Sequence, residues 1–224
     1  MKQIISLTLC FVLSNFVLSG CSDNSDPFEE KNYTPDTQIN EINLDVQDRE
    51  IEVSLSKDEQ IHIQYYENRK EYYDISVSDN NVLHMTSVRD KEWTDYIGWK
   101  ASAEDRKILL EIPDVLLDTL TLSTTNGDIA LPTMSVTGRI SISSNNGNIT
   151  FEHLEVGDAL YLTAKNGDIE GMVIGSYDDF SIQTEIKNGE SSLPDKKENG
   201  EKTLNVSSNN GDVNIEFVND SLSF

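Results

Sequence analysis

One ten-residue phrase recurs through the second half of this 224-residue chain. It reads LTLSTTNGDI at 120–129, ISISSNNGNI at 140–149, LYLTAKNGDI at 160–169 and LNVSSNNGDV at 204–213, with a looser copy from Phe180 to Gly189. Asn-Gly pairs therefore begin at 126, 146, 166, 188 and 210. A period of 20 to 22 residues is the mark of stacked repeats. A single unit of that size cannot bury its own apolar face, and its neighbours must complete the core.

Three apolar sets recur in phase. Leu120 and Leu122 align with Ile140 and Ile142, Leu160 and Leu162, Phe180 and Ile182, then Leu204 and Val206. A second set follows each Asn-Gly: Ile129 and Leu131, Ile149 and Phe151, Ile169, then Val213, Ile215 and Phe217. The third is Met134 and Val136, Leu154 and Val156, then Ile174. Asn-Gly suits the corners because glycine adopts positive φ without steric cost. The same dipeptide between alternating strands is also a hairpin signal, so an up-and-down antiparallel sheet or sandwich stays open. Recurrence in one phase, and the ladders that stacked Asn amides can form, favour the other reading. The expected class is all-β: a parallel β-solenoid with rungs of about 20 residues over 114–224. A strand-rich N-terminal part, residues 39–113, supplies the cap and first rungs. There Ile42, Leu44 and Val46 alternate, as do Ile51, Val53 and Leu55, then Ile61, Ile63 and Tyr65. Asp48-Arg49 reads as a turn. Pro194–Lys202 reads as a polar loop bulging from one corner.

The N-terminus carries a different signal. Met1-Lys2 precedes an apolar run, Ile4 to Leu18, too short for a confident membrane span. The run ends in Leu18-Ser19-Gly20-Cys21, which resembles the lipobox of bacterial lipoproteins. The resemblance implies a signal peptide over 1–20 and a lipid on Cys21, with Cys10 lost on cleavage. It places the protein outside the cytoplasm, anchored to the outer face of the cell membrane, or to an outer membrane if the host has one. Residues 21–38 are polar and acidic and read as a disordered tether. The net charge of −23, with 17 Lys and Arg, argues against nucleic acid as a partner.

No catalytic constellation stands out. His62, His84 and His153 are far apart and lack zinc-ligand spacing, and there is no nucleophile elbow or phosphate loop. No cofactor is expected. Asp128, Asp168 and Asp212 are candidate calcium ligands, because stacking would bring these oxygens into one column. One acid per rung is sparse for calcium, and the plainer role is bonding to the turn's own backbone. Trp93, Tyr96 and Trp99, within Arg89–Arg106, are a candidate recognition surface; aromatics there could equally cap an open core.

The run Leu109-Leu110-Glu111-Ile112-Pro113, followed by the Asn-Gly-Asp-Ile copies, resembles the DUF4097 β-strand-repeat family. The similarity covers Ile39 to Phe217, and Lys187-Asn188-Gly189-Glu190-Ser191 departs from the motif. The resemblance implies an adhesin-like β-solenoid of the bacterial envelope that is not an enzyme. The expected function is a lipid-anchored binding or structural module for an envelope glycan or protein. The alternatives are an accessory or sensor of an envelope-stress system, or a polysaccharide-acting β-helix enzyme. The last would need several acids and an Arg converging in one cleft.

Overall fold

The computed structural model describes residues 27–90, 102–113 and 117–219. Its strands are β1 (Glu29–Tyr33), β2 (Glu41–Asp45), β3 (Glu50–Leu55), β4 (His62–Glu67), β5 (Glu71–Val77), β6 (Val82–Arg89), β7 (Lys107–Ile112), β8 (Leu117–Thr124) and β9 (Ile129–Leu131). There follow β10 (Met134–Asn146), β11 (Ile149–Val156), β12 (Ala159–Asn166), β13 (Ile169–Ile174), β14 (Phe180–Asn188), β15 (Lys196–Lys197), β16 (Lys202–Asn210) and β17 (Val213–Val218). The protein is all-β.

Two parallel stacks carry the fold. In one, the hydrogen-bonded order is β6, β2, β8, β10, β12, β16, β14. In the other it is β7, β3, β9, β11, β13, β17. The strands flanking an Asn-Gly belong to different stacks, so the pair turns a corner and closes no hairpin. Antiparallel strands finish the ends: β5 on β6, β4 on β7, β1 on β4 and β15 on β14.

The apolar columns explain the register. Leu83, Ile42, Leu120, Ile140, Leu160, Leu204 and Ile182 form one unbroken line. Ile108, Ile51, Ile129, Ile149, Ile169 and Val213 form another. All are buried, and both lines join one core. A slip of one residue would turn each of these side chains outward, at about 1.5–3 kcal/mol apiece.

Spatial order departs from chain order at both ends. β2 lies between β6 and β8, and β16 lies between β12 and β14. The expected sequence of rungs, with Phe180 and Ile182 between Leu162 and Leu204, is therefore corrected: Leu160 pairs with Leu204, and Ile182 lies beyond. The offset is 20 residues from β8 through β12, then 44 from β12 to β16. The inner position beside the corner supplies a reason. Thr124, Ser144, Ala164 and Ser208 fill it with small buried side chains, whereas β14 brings the larger Ile186. An end position accommodates that bulk. A β-bulge at Glu152 likewise sets Val173, instead of Ile174, beside Leu154.

Two further expectations change. Residues 29–33 are not tether: they form β1, paired along its length with β4. The segment around Pro194 does not bulge from a corner. It folds back as β15 over the free edge of β14, with the Thr184 amide donating to Asp195 O and Lys197 Nζ to Phe180 O. Leu193 is buried in the core. A charged strand over an edge blocks further pairing.

The glycines serve closeness rather than positive φ. Among the corner glycines, only Gly189 and Gly211 have φ in the left-handed range, at 152° and 148°. A Cβ on Gly147 would overlap the carbonyl oxygen of Gly127, and one on Gly167 would overlap that of Gly147. Gly147→Ala should therefore cost about 3 kcal/mol or abolish folding, as overpacking against rigid backbone does. Lys165→Ala, on an exposed position, should stay within about 0.5 kcal/mol, and urea unfolding of both variants checks the contrast.

Candidate functional site

The corners align into one hydrogen-bonded column. Asn188 Nδ2 donates to Asn210 Oδ1 at 2.9 Å, Asn210 to Asn166 at 2.6 Å, Asn166 to Asn146 at 2.7 Å, and Asn146 to Asn126 at 2.6 Å. Asn126 then donates to Asp48 Oδ1, and Arg89 on β6 donates to Asp48 Oδ2. The direction is forced. An ionised carboxylate only accepts, so every amide upstream must point its NH2 toward Asp48. Asp48 occupies the ladder place that Asn fills in later rungs, with φ 55°. Burial alone would raise its pKa, but the Asn126 amide, the Arg89 guanidinium and the Thr125 hydroxyl hold it below the ordinary aspartate value.

A second column runs beside the first. The backbone N–H of Asn148 donates to Asp128 Oδ1 at 2.7 Å, that of Asp168 to Asn148 Oδ1 at 3.0 Å, that of Asp212 to Asp168 Oδ1 at 2.8 Å, and that of Glu190 to Asp212 Oδ1 at 2.8 Å. Asp128, Asp168 and Asp212 thus bind the next rung's backbone and not their own turn. Among the described residues, no group of three or more His, Cys, Asp or Glu side chains is placed to hold a metal ion. Of the histidines, His62 bonds Thr34 Oγ1 and Asp58 at 2.9 Å each, and His153 bonds Thr133 Oγ1 at 3.1 Å. His84 stands apart from both on β6.

Behind Asp48 lies a buried ionic cluster. Arg49, 3% exposed, gives Nη2 to Glu71 Oε2 at 3.2 Å and Nε to the Tyr73 hydroxyl at 2.5 Å. Its Nη1 reaches Asp48 O at 3.1 Å. Burial raises the Tyr73 pKa, so the phenol stays protonated. Removing one member of such a buried pair typically costs about 3–5 kcal/mol. Reading Asp48-Arg49 as a plain turn missed this cluster. The visible signal was Asp48-Arg49-Glu50-Ile51 aligning with Asn126-Gly127-Asp128-Ile129.

Next to the cluster, a cleft of about 450 Å³ opens between β1 and the β4–β5 turn. Glu29, Lys31, Glu67, Arg69 and Tyr72 line it. Tyr72 is 41% exposed. The cleft's two carboxylates are Glu29, paired with Lys31 at 2.7 Å, and Glu67. The Asp90 amide donates to Lys70 O at 2.9 Å, tying Asp90 to the β4–β5 turn. Trp93, Tyr96 and Trp99 follow and lie outside the described residues, as does Cys21.

A family model described as Toastrack DUF4097 matches residues 39–171, more than half of the chain. The chain belongs to the Toastrack DUF4097 family. A crystal structure named as a "putative cell adhesion protein" from Clostridium sporogenes shares the fold, with TM-score 0.59 at 11% identity over 87% of this chain and 100% of that one. A "putative adhesin" from Bacteroides fragilis aligns with TM-score 0.38 at 15% identity, over 87% of this chain and 98% of that one. No curated protein matches. The Toastrack match ends at Gly171, before β14 and β16, which leave chain order at the C-terminal end.

The sign of the acid response follows from Asp48. Its folded pKa is lowered, so its contribution is complete above the ordinary aspartate value and is lost as pH falls through the folded value. Asp48→Asn should remove that part of the acid dependence: below the ordinary aspartate range, the variant's melting temperature should fall less steeply than the wild type's. Parallel slopes for the two proteins would contradict the assignment.

Proposed function

We propose that this Toastrack chain is a lipid-anchored, non-catalytic binding module of the cell envelope. Its stack is a β-solenoid of about 20-residue rungs that serves as a stiff spacer. Ligand is taken at the end where β1, β4 and β5 meet. The observation that carries the reading is the cleft beside exposed Tyr72. It combines an aromatic face with carboxylate, ammonium and guanidinium groups, the mixture that stacks on a sugar ring or docks a polar peptide. In the sequence, Trp93, Tyr96 and Trp99 follow Asp90, whose amide donates to Lys70 O in the β4–β5 turn. The name of the Clostridium sporogenes structure supports the reading. Cys21 is the proposed attachment point, with residues 21–28 as the spacer between lipid and β1.

Binding of the full chain to arrays of envelope glycans and matrix proteins tests the site. A bound species should lose roughly tenfold or more in affinity with Tyr72→Ala, as truncation of an aromatic anchor does. An array without any bound species, or equal binding by the variant, would sink the proposal. Anchoring is tested separately. Cys21→Ser should move the protein from the membrane to the soluble fraction, and retention at the membrane would refute the lipid attachment.

A further inference from the structure

The five ladder asparagines share one chemical liability. In each, the following glycine nitrogen can attack the Asn side-chain carbonyl. The Gly N–Cγ bond forms, the Cγ–Nδ2 bond breaks, and ammonia leaves; water then opens the succinimide to Asp or isoaspartate. Glycine speeds this reaction because it places no side chain in the path of attack. The stack holds back its two participants. Gly167 N donates to Asn210 O at 2.9 Å and Gly211 N to Asn188 O at 3.0 Å, so these two nitrogens are committed to the next rung, while Gly127 and Gly147 are partly covered. The amide nitrogen of each Asn is held by the next member toward Asp48 at 2.6–2.9 Å, or by Asp48 itself.

The last rung differs at its glycine and at its side-chain oxygen, while the Asn188 amide nitrogen is held like the others. β14 ends the stack, so no further Asn carbonyl is stacked to receive the Gly189 amide, and no further amide donates to Asn188 Oδ1 within the column. Gly189 is exposed, whereas Gly127, Gly147, Gly167 and Gly211 are partly covered. The backbone presses on Gly189 from one side, through Gly211 O. A sixth pair, Asn199-Gly200, lies off the column, but its glycine nitrogen donates to Ser181 Oγ at 2.9 Å.

We infer that Asn188 is the deamidation site of the folded protein, and that stacking shields the other Asn-Gly pairs. Conversion at Asn188 replaces a donor with a carboxylate facing Asn210 Oδ1. The damage stops there, because Asn210 keeps its own donation to Asn166. At Asn146 the same change would remove the donor that holds Asn126 Oδ1, in mid-column.

The full chain, incubated in mildly alkaline buffer and digested at intervals, reports each pair by peptide mass spectrometry with isoaspartate detection. Asn188 should convert roughly tenfold or more faster than Asn166, Asn210 and Asn199, whose glycine nitrogens must first be freed by local opening, and faster than Asn126 and Asn146, whose glycines are partly covered. In urea the six rates should converge. Asn199 or any inner ladder residue keeping pace with Asn188 in the folded protein would overturn the inference, as would a rate order unchanged by urea. Asn188→Asp supplies the product standard for the peptide assignment.

Discussion

The fold depends on how closely successive corners approach. Each corner Asn-Gly brings its backbone against a carbonyl of the rung beside it, that of Arg49 for Gly127 and of a glycine for the others, at a separation that excludes a Cβ. At that distance the Asn amides fall within hydrogen-bond reach, and the following Asp or Asn accepts from the next rung's backbone. One geometric condition therefore sets the axial spacing, satisfies the polar groups of the turn and fixes the register of both strands that leave it. A one-residue slip would break the amide column and expose the apolar columns together.

A column of donors and acceptors needs a terminus. Here the amides converge on Asp48, and Arg89 neutralises the carboxylate from the far side. The opposite end stops at Asn188, exposed on β14, whose edge β15 covers farther back at Ile182 and Gln183. The two ends thus differ: one is ionic and partly buried, the other is open at the amide column. A chain with net charge −23 needs such local pairing, because added like charge destabilises a compact state.

Much of this was legible from the repeat. The apolar columns of β8, β10 and β12 follow from a 20-residue offset, and the Asn ladder follows from identical residues in phase. The DUF4097 resemblance gave the family. The ionic cluster was not legible, because Arg49, Glu71 and Tyr73 lie 22 and 24 residues apart on non-repeating strands. Nor was β1, whose charged residues Glu29 to Tyr33 read as solvated chain; pairing with β4 gives them a place. The expected role of the calcium candidates shifted for a related reason: a carboxylate's choice between its own turn and its neighbour's depends on rung spacing.

By itself, the sequence determined that strands would stack through Asn-Gly corners, since periodic apolar residues with one flexible, amide-bearing turn per period can complete a core only by stacking. Tertiary structure decided the order of the stack. Nothing local tells Leu204 from Ile182 as the partner of Leu160; the choice turns on fitting Ser208 in place of Ile186 beside an inner corner. It also decided that Asp48 ends the ladder, since an acceptor-only side chain becomes a terminus once five amides are aligned toward it. The recurring phrase therefore fixes the unit, and the residues that break it fix the two ends.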